Sequence, residues 1–324
     1  MAAEIIDGKA VAKEIAEQIS QEAAGLRAVG REVRLVAVLV GHDEAAKWYA
    51  NMQARRSESV GIQYQLVELP GDTTQDGLLE RLGELNDDPE VSAVILQMPL
   101  PKQIDAAVAQ KAIAPAKDAE GVHPENLGRL VTGTGLVAPC TPMAAMELLQ
   151  RACPELSGKE AVVVGRSTIV GKPIALMLEH LSVSATVTVC HSRTKDLASH
   201  TRRAEVLVAA TGLSQSRWDR YCRAKAAGQA VGLPDLGPLI TGEMVSEGTI
   251  VIDVATNYIP KGFDDQGEPL RDEKNQVITR TVGDVDFEAV KDKAAAITPV
   301  PGGVGPVTVT MLLRNALACA KAGV

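Results

Sequence analysis

Apolar residues fall into two kinds of run along the first part of the chain. Over residues 8–27 they recur every three to four positions, with Val11, Ile15 and Ile19 on one stripe, which predicts an amphipathic helix. RLVAVLVG, 34–41, is a continuous apolar run closed by glycine, the pattern of a buried strand. A helix is predicted over 42–61, acidic in its first turn and stopped by Gly61. IQYQLVELP then reads as a strand, and TTQDGLLERLGELNDD as a helix that TTQD can cap. VSAVILQMPLP reads as a strand running into proline, and KQIDAAVAQKAI as a further helix. Strand and helix alternate, so a parallel α/β unit is expected.

GRLVTGTGLVAPCTP marks a junction, where Pro139 and Pro142 forbid a continuous helix. Beyond it, MAAMELLQRA reads as a helix and KEAVVVG, ATVTVCH, EVLVAATG and TIVIDVA as strands. Four apolar strands separated by loops and helices predict a second α/β domain, doubly wound in character. The polar stretch 213–239 lies between two of these strands and is expected to be a short inserted helix with a surface loop. ITPVPGGVGPVTVTMLLRNALACAKAGV predicts a Pro/Gly loop leading into a helix.

Composition narrows the partners. The chain has 324 residues, room for two cores, and is 46% hydrophobic. Two Phe, four Tyr and two Trp leave the packing to aliphatic side chains, as buried parallel strands require. A net charge of −8 argues against nucleic acid as partner, while single arginines and helix N-termini still allow a local anion site. Five cysteines without a CxxC pair fit neither a disulfide framework nor a zinc site, so no metal is expected. With no secretory h-region at the start and no run of 18 apolar residues, the expectation is a cytoplasmic protein without a membrane span.

Candidate chemistry sits where apolar runs break. In VVVGRSTIVGKPIALML a β-branched strand meets a helix through Gly165, Ser167 and Gly171, a turn whose bare N–H groups suit a phosphate. The spacing is GxSxxxGxP and not GxGxxG, and a tight turn that needs glycine only for packing is the plain alternative. The next strand ends in CHSRT, where an acidic residue would favour NAD. Ser192 and Arg193 stand there, with Arg166 after the first glycine, so NADP is preferred and NAD is the alternative. VLVAATG and VIDVATN end strands in small residues that let a flat ring approach, and PGGVGP offers exposed amides. In the first half Tyr49, Gln97, Asp118 and Glu120 interrupt apolar stretches. Each also has a plain reading as core or solvated surface, and His123 is better read as structural.

Taken together, Tyr49 in its helix, ILQMPLPKQID, PAKDAEGVHPENLGRL, PCTP, GRSTIVGKP, VCHSRTKDL, VIDVATN, GDVDFEAV and ITPVPGGVGPVTVTML resemble the methylenetetrahydrofolate dehydrogenase/cyclohydrolase family along the whole chain. The resemblance implies a two-domain, three-layer αβα architecture with a Rossmann-like doubly wound sheet in the second domain. It implies a folate-binding half of residues 1–141 plus 299–324, an NAD(P)-binding half of 142–298, a cleft between them and a homodimer. It implies oxidation of 5,10-methylene-tetrahydrofolate to the methenyl form, followed in many members by hydrolysis to 10-formyl-tetrahydrofolate.

By the same resemblance Tyr49 stacks on the folate, Gln97 lies near the reacting centre, and Glu120 falls where the family grips the pterin with an aspartate. Pro99, Leu100, Gly302 and Gly303 line the substrate site. Gly165, Arg166, Ser167, Ile169, Ser192 and Arg193 contact the dinucleotide, with Thr279 or a neighbour near the nicotinamide. Two departures meet at that pocket. Bifunctional members carry Tyr-x-x-x-Lys, and this chain carries Tyr49 and Gln53; KDxDG is here KDAEG. DVATN and the 213–239 segment are lesser ones.

Hydride transfer needs mainly geometry, whereas hydrolysis needs a proton carrier, which an amide is not. Gln53 therefore predicts a dehydrogenase with weak or absent cyclohydrolase activity. A bifunctional enzyme with another group in the lysine's role is the alternative. A noncatalytic folate or nucleotide sensor is the third reading.

Overall fold

The computed structural model describes residues 3–323 and parts by contacts into two units. Met1–Lys9 with Ala144–Pro306 form one, and Ala10–Met143 with Val307–Val324 form the other. The expected boundaries stood at 141/142 and 298/299, with the N-terminus in the first half. By contacts, residues 3–9 and 299–306 go instead with the larger sheet, the former through the edge strand Glu4–Ile5.

In the unit Ala10–Met143 the three strands predicted from apolar runs form one parallel sheet. Arg34–Val40 lies in the centre, with Gln63–Leu69 on one side and Ala93–Leu96 on the other. The central strand is buried at Leu35, Val36, Ala37, Val38, Leu39 and Val40 alike, which is why its run is unbroken. Val36, Val38 and Val40 share a core with Val94, Leu96 and with Leu78, Leu82 and Leu85 of the helix Gln75–Asp87. Thr74 caps that helix by accepting from the Gly77 N–H, as the TTQD pattern predicts. The junction holds a helix that the glycine-rich spacing conceals, Pro124–Thr132, started by a proline in its first turn and ended by left-handed Gly133. Pro142 lies inside the helix Cys140–Ala152, but in its first turn, where no N–H partner is lost.

The other unit is built on six parallel strands in the order Glu4–Ile5, Ala296–Ile297, Ile250–Asp253, Val206–Ala209, Glu160–Val164, Thr186–Cys190. The chain leaves Glu160–Val164 toward one edge and returns on its other side, so a topological switch point lies at the carboxyl end of that strand. Two short strands, Glu4–Ile5 at the edge and Ala296–Ile297 next to it, complete the sheet, and the first carries the N-terminal residues into this unit. An antiparallel ribbon, Asn257–Pro260 with Thr279–Val282, stands apart from the six strands.

The polar 213–239 segment opens with the helix Leu213–Ala226. Its Trp218 stacks on Tyr221 at 5.4 Å and meets Phe263 edge-on at 6.1 Å, so three of the scarce aromatics form a satellite core here.

Candidate functional site

The helix Glu44–Ser59 begins at Asp43, whose carboxylate accepts from the Ala46 N–H at 2.7 Å, with Glu44 in the first turn. Tyr49 and Gln53 lie one turn apart on it, on one face. Gln53 is fully buried, at 0% exposure. Its Oε1 accepts from the Gln97 amide at 2.7 Å and from the Tyr64 hydroxyl at 3.1 Å. Two donors on one oxygen fix which way the amide faces. Gln53 Nε2 has no hydrogen-bond partner among the described residues, although Gln53 lies close enough to Tyr49 to draw the phenol's pKa down. Burial outweighs that pull, and with Cys140 and Glu120 nearby it holds the Tyr49 phenol above its ordinary value. Tyr64 is likewise pushed far up by burial, so its hydroxyl is a donor at any ordinary pH.

Gln97 follows the strand Ala93–Leu96, its N–H bonded to Val38 O at 2.8 Å and its side chain 3% exposed. Asp118 and Ala119 run beside the same strand, through a bridge to Val94 and the Ala119 N–H donating to Val94 O. The Asp118 carboxylate accepts from the Gly121 N–H at 3.0 Å, the His123 N–H at 2.8 Å and Asn126 Nδ2 at 3.0 Å. Glu120, between them, is half-buried, and its carboxyl makes no hydrogen bond among the described residues. Desolvation, aided by the Asp118 charge, pushes it up to about 7. His123 is structural, its ring Nδ1 accepting from the Glu125 N–H to start the next helix. Pro99 is exposed just past Gln97, and Leu100 packs against the sheet's core.

Tyr64 and Asn315 escaped the sequence reading. Buried Asn315, on the last helix, donates to Ala119 O and Ala138 O, both at 2.9 Å, and ties Glu120's neighbour to the segment before Cys140. An asparagine in the apolar run MLLRNALAC was the available signal. Tyr64, in an alternating strand, carried none.

In the other unit, Gly165 ends the strand Glu160–Val164 with φ +137°, and its N–H donates to Cys190 O at 2.9 Å. A Cβ there would lie 2.3 Å from Ala210 O, and one on Gly171 would lie 2.4 Å from Gly165 O. Both glycines let three backbone segments touch at the switch point. Arg166, Ser167 and Ile169 are exposed in the turn. The Ser167 hydroxyl accepts from the Val170 and Gly171 N–H groups, each at 3.2 Å, and so braces the turn before the helix Gly171–Glu179, whose N-cap Val170 has no capping side chain. Ser192 and Arg193 are exposed beyond Thr186–Cys190, with the Arg193 N–H held by His191 Nδ1 at 3.1 Å. The turn thus leaves Arg166 and the helix N-terminus beyond Gly171 open, as a dinucleotide phosphate requires.

Gly302 and Gly303 line a cavity of about 260 Å³ with Asp253, Ala255, Thr256, Tyr258 and Thr281. Thr281 of the ribbon reaches this cavity; Thr279, two residues earlier, is exposed and does not line it. Beneath lie two buried carboxyls. Asp253 accepts N–H groups of Ala255, Asp284 and Val285, yet burial and the Asp284 charge push it up to about 7. Asp284 accepts from Thr211, Gly212 and Leu213. No group of His, Cys, Asp and Glu able to hold a metal occurs among the described residues, and no helix there is long and apolar enough to cross a membrane.

A parallel sheet with a glycine turn and an open helix N-terminus at its switch point defines a dinucleotide-binding α/β protein. Comparison with known proteins narrows the class. Residues 6–120 match the model of the tetrahydrofolate dehydrogenase/cyclohydrolase catalytic domain, and residues 139–217 and 219–324 match that of the family's NAD(P)-binding domain. The chain belongs to this family. It is 45% identical over 319 residues to the bifunctional protein FolD of Geotalea uraniireducens, covering 98% of this chain and 99% of that protein. To the FolD of Moorella thermoacetica it is 43% identical over 321 residues, covering 99% and 100%. The crystal structure of FolD, a methylenetetrahydrofolate dehydrogenase/cyclohydrolase from Campylobacter jejuni, superposes with a TM-score of 0.82 at 37% identity over 100% of both chains. The Trypanosoma brucei enzyme, solved with NADP and an inhibitor, gives 0.81 at 35%, covering 99% and 98%.

Proposed function

We propose that this chain is a bifunctional enzyme that oxidises 5,10-methylene-tetrahydrofolate and then hydrolyses the methenyl product to 10-formyl-tetrahydrofolate. The relatives named above from Geotalea, Moorella and Campylobacter are called bifunctional, which supports this reading over a weak or absent cyclohydrolase. The observation that carries it is the buried cluster of Gln53, Gln97 and Tyr64, with Tyr49 near both Gln53 and the ionisable carboxyl of Glu120. Residues 10–143 with 307–324 form the folate-binding half in this reading, with Tyr49 stacking on the substrate and Gln97 near its reacting carbon. Pro99 and Leu100 line the folate site.

When bound, the oxidised dinucleotide supplies the hydride acceptor. The chain's part in that step is positional: the Gly165 turn and the Gly171–Glu179 helix hold the phosphates, and the small residues ending Val206–Ala209 admit the ring. Arg166, Ser192 and Arg193 supply guanidinium and hydroxyl groups for a 2′-phosphate, which makes NADP the preferred cofactor. We infer a homodimer in the cytoplasm, which light scattering and fractionation test.

The second reading, a dehydrogenase without useful hydrolysis, is favoured by Gln53 alone, because an amide carries no proton. One assay separates the two. Purified protein is given methylene-tetrahydrofolate with NADP⁺ or NAD⁺, and reduced nucleotide and the methenyl chromophore are followed together. Bifunctionality predicts reduction favouring NADP⁺ and a methenyl signal that decays faster than in enzyme-free buffer. A methenyl signal that only accumulates supports the second reading, and absence of any reduction with either nucleotide refutes both.

A further inference from the structure

We infer that Glu120 is the proton carrier for hydrolysis in this chain, filling the role that an amide at position 53 leaves open; the inference rests on the bifunctional reading. Hydrogen-bond accounting around the cluster isolates it. On the helix Glu44–Ser59, Tyr49 and Arg56 face the site, and neither a phenol held above its usual pKa nor a guanidinium exchanges protons readily near neutrality. From the strand Gln63–Leu69, Tyr64 is committed to Gln53 Oε1. On Glu120's own segment, Asp118 is committed to three donors. From the helix Cys140–Ala152, the Cys140 thiol is buried, raised well above its usual pKa and directed at the Ala119 and Glu120 carbonyls. Glu120 alone combines a titratable side chain with a carboxyl that no described residue engages.

Its backbone is nevertheless fixed. The Glu120 carbonyl accepts from Cys140 Sγ at 3.8 Å, the preceding carbonyl is held by Asn315, and the following N–H is held by Asp118. A fixed backbone with an uncommitted carboxyl is what a carrier needs: it takes a proton from one place and delivers it nearby. Burial and Asp118 set this carboxyl to about 7, where both protonation states are populated at neutral pH. Buried Gln53, by contrast, is locked at its Oε1 by Tyr64 and Gln97.

The step balances. Water forms a C–O bond to the carbon between N5 and N10 of the methenyl cation, and its released proton goes to the Glu120 carboxylate. The neutral carbinolamine then collapses. Glu120 gives that proton to N5 as the C–N5 bond breaks, the oxygen lone pair forms the formyl C=O on N10, and the carbinol proton passes to Glu120 and out to solvent. One cation and one water yield one neutral formyl product and one proton.

The test uses the full chain with Glu120→Gln and Glu120→Asp, and measures kcat for methenyl hydrolysis across pH beside kcat and KM for the dehydrogenase. Wild type is expected to show a hydrolysis rate that rises with a midpoint near pH 7. Glu120→Gln is expected to abolish that step and lower hydrolysis kcat by about 10²–10⁴-fold, well beyond any fall in dehydrogenase kcat. Glu120→Asp keeps a titratable carboxyl and is expected to keep a pH step, which guards against reading a folding defect as lost chemistry. Hydrolysis by Glu120→Gln with the step intact, or both kcat values falling in equal measure, would overturn the role of Glu120 and leave bifunctionality standing. No enzyme-dependent hydrolysis by wild type would overturn the bifunctional reading, and this inference with it.

Discussion

Asp284 organises the inserted helix. Leu213–Ala226 begins after Gly212, which has no side chain to cap it, so the first N–H groups must find acceptors elsewhere. They find them in motifs from two other segments. The Asp284 carboxylate accepts from the Thr211 N–H at 2.7 Å, the Thr211 hydroxyl at 2.6 Å, Gly212 N–H at 3.1 Å and Leu213 N–H at 3.3 Å. Asn257 adds an acceptor for Gln215 N–H at 2.9 Å and itself donates to Asp284 at 3.3 Å. Asp284 is 1% exposed, so no water replaces it directly.

Asp284→Ala leaves several donors unpaired and removes an anion from a helix N-terminus. Such a break in a buried charged network costs about 3–5 kcal/mol, a large part of the roughly 5–15 kcal/mol that holds a domain. Asp284→Asn retains one acceptor oxygen, so its cost is smaller, about 1–3 kcal/mol. The assay is thermal unfolding together with amide exchange over 213–226 and acrylamide quenching of Trp218, which is 9% exposed in the native chain. Trp48 is 67% exposed and gives a constant background. The expected order of Tm is wild type, Asn, Ala, with faster exchange and deeper quenching in the alanine variant. An alanine variant with native exchange in this helix and native Trp218 quenching would refute the reasoning.

Other outcomes follow from the same geometry. Gly165→Ala places a methyl 2.3 Å from Ala210 O; it is expected to cost about 1–3 kcal/mol and to weaken NADP binding by tenfold or more, checked by calorimetry and titration. Tyr64→Phe leaves Gln53 Oε1 the Gln97 donor, so denaturant unfolding should show a loss of about 0.5–1.5 kcal/mol. Gln53→Leu strands both donors and is expected to cost more, so the reverse order contradicts the assignment of Gln53 as their shared acceptor. Glu120 is raised from its ordinary value to about 7, so the folded state holds its proton where the unfolded state releases it. Its contribution to stability is fully present below the unfolded pKa of about 4.5 and is lost as pH rises through about 7. Glu120→Gln should flatten that part of the stability–pH curve, and an unchanged slope would refute the shift.

Hydrophobic pattern carried the strands because burial on both faces writes itself as an unbroken apolar run, as in 34–40 and 160–164. It could not show the pairing of Glu4–Ile5 or Ala296–Ile297, since two-residue strands have no period. Nor did it show Pro124–Thr132, which runs into the loop-like TGTG until the proline and the αL glycine are seen as its two ends. At the site, Tyr49, Gln97, Asp118 and Glu120 were legible as polar interruptions of apolar runs, and Gln53 as a departure from the family's Tyr-x-x-x-Lys. What their spacing could not convey is that Tyr64 arrives from another strand, or that Asp118 is saturated while Glu120 is not. Those facts depend on which donors tertiary structure brings near each carboxyl, a property of the fold and not of the local chain. Gln53 alone pointed to lost hydrolysis. With Glu120 near Tyr49 and raised to about 7, the same amide is compatible with a site that moves protons through a different residue.

The central claim is that one chain both reduces NADP⁺ and opens the methenyl bridge. Methenyl-tetrahydrofolate supplied directly, without nucleotide, tests it most plainly, with the same preparation assayed in parallel for NADP⁺ reduction. The account predicts loss of the methenyl absorbance at an initial rate proportional to enzyme concentration and above the buffer rate. A rate equal to the buffer blank from a preparation that reduces NADP⁺ would contradict it.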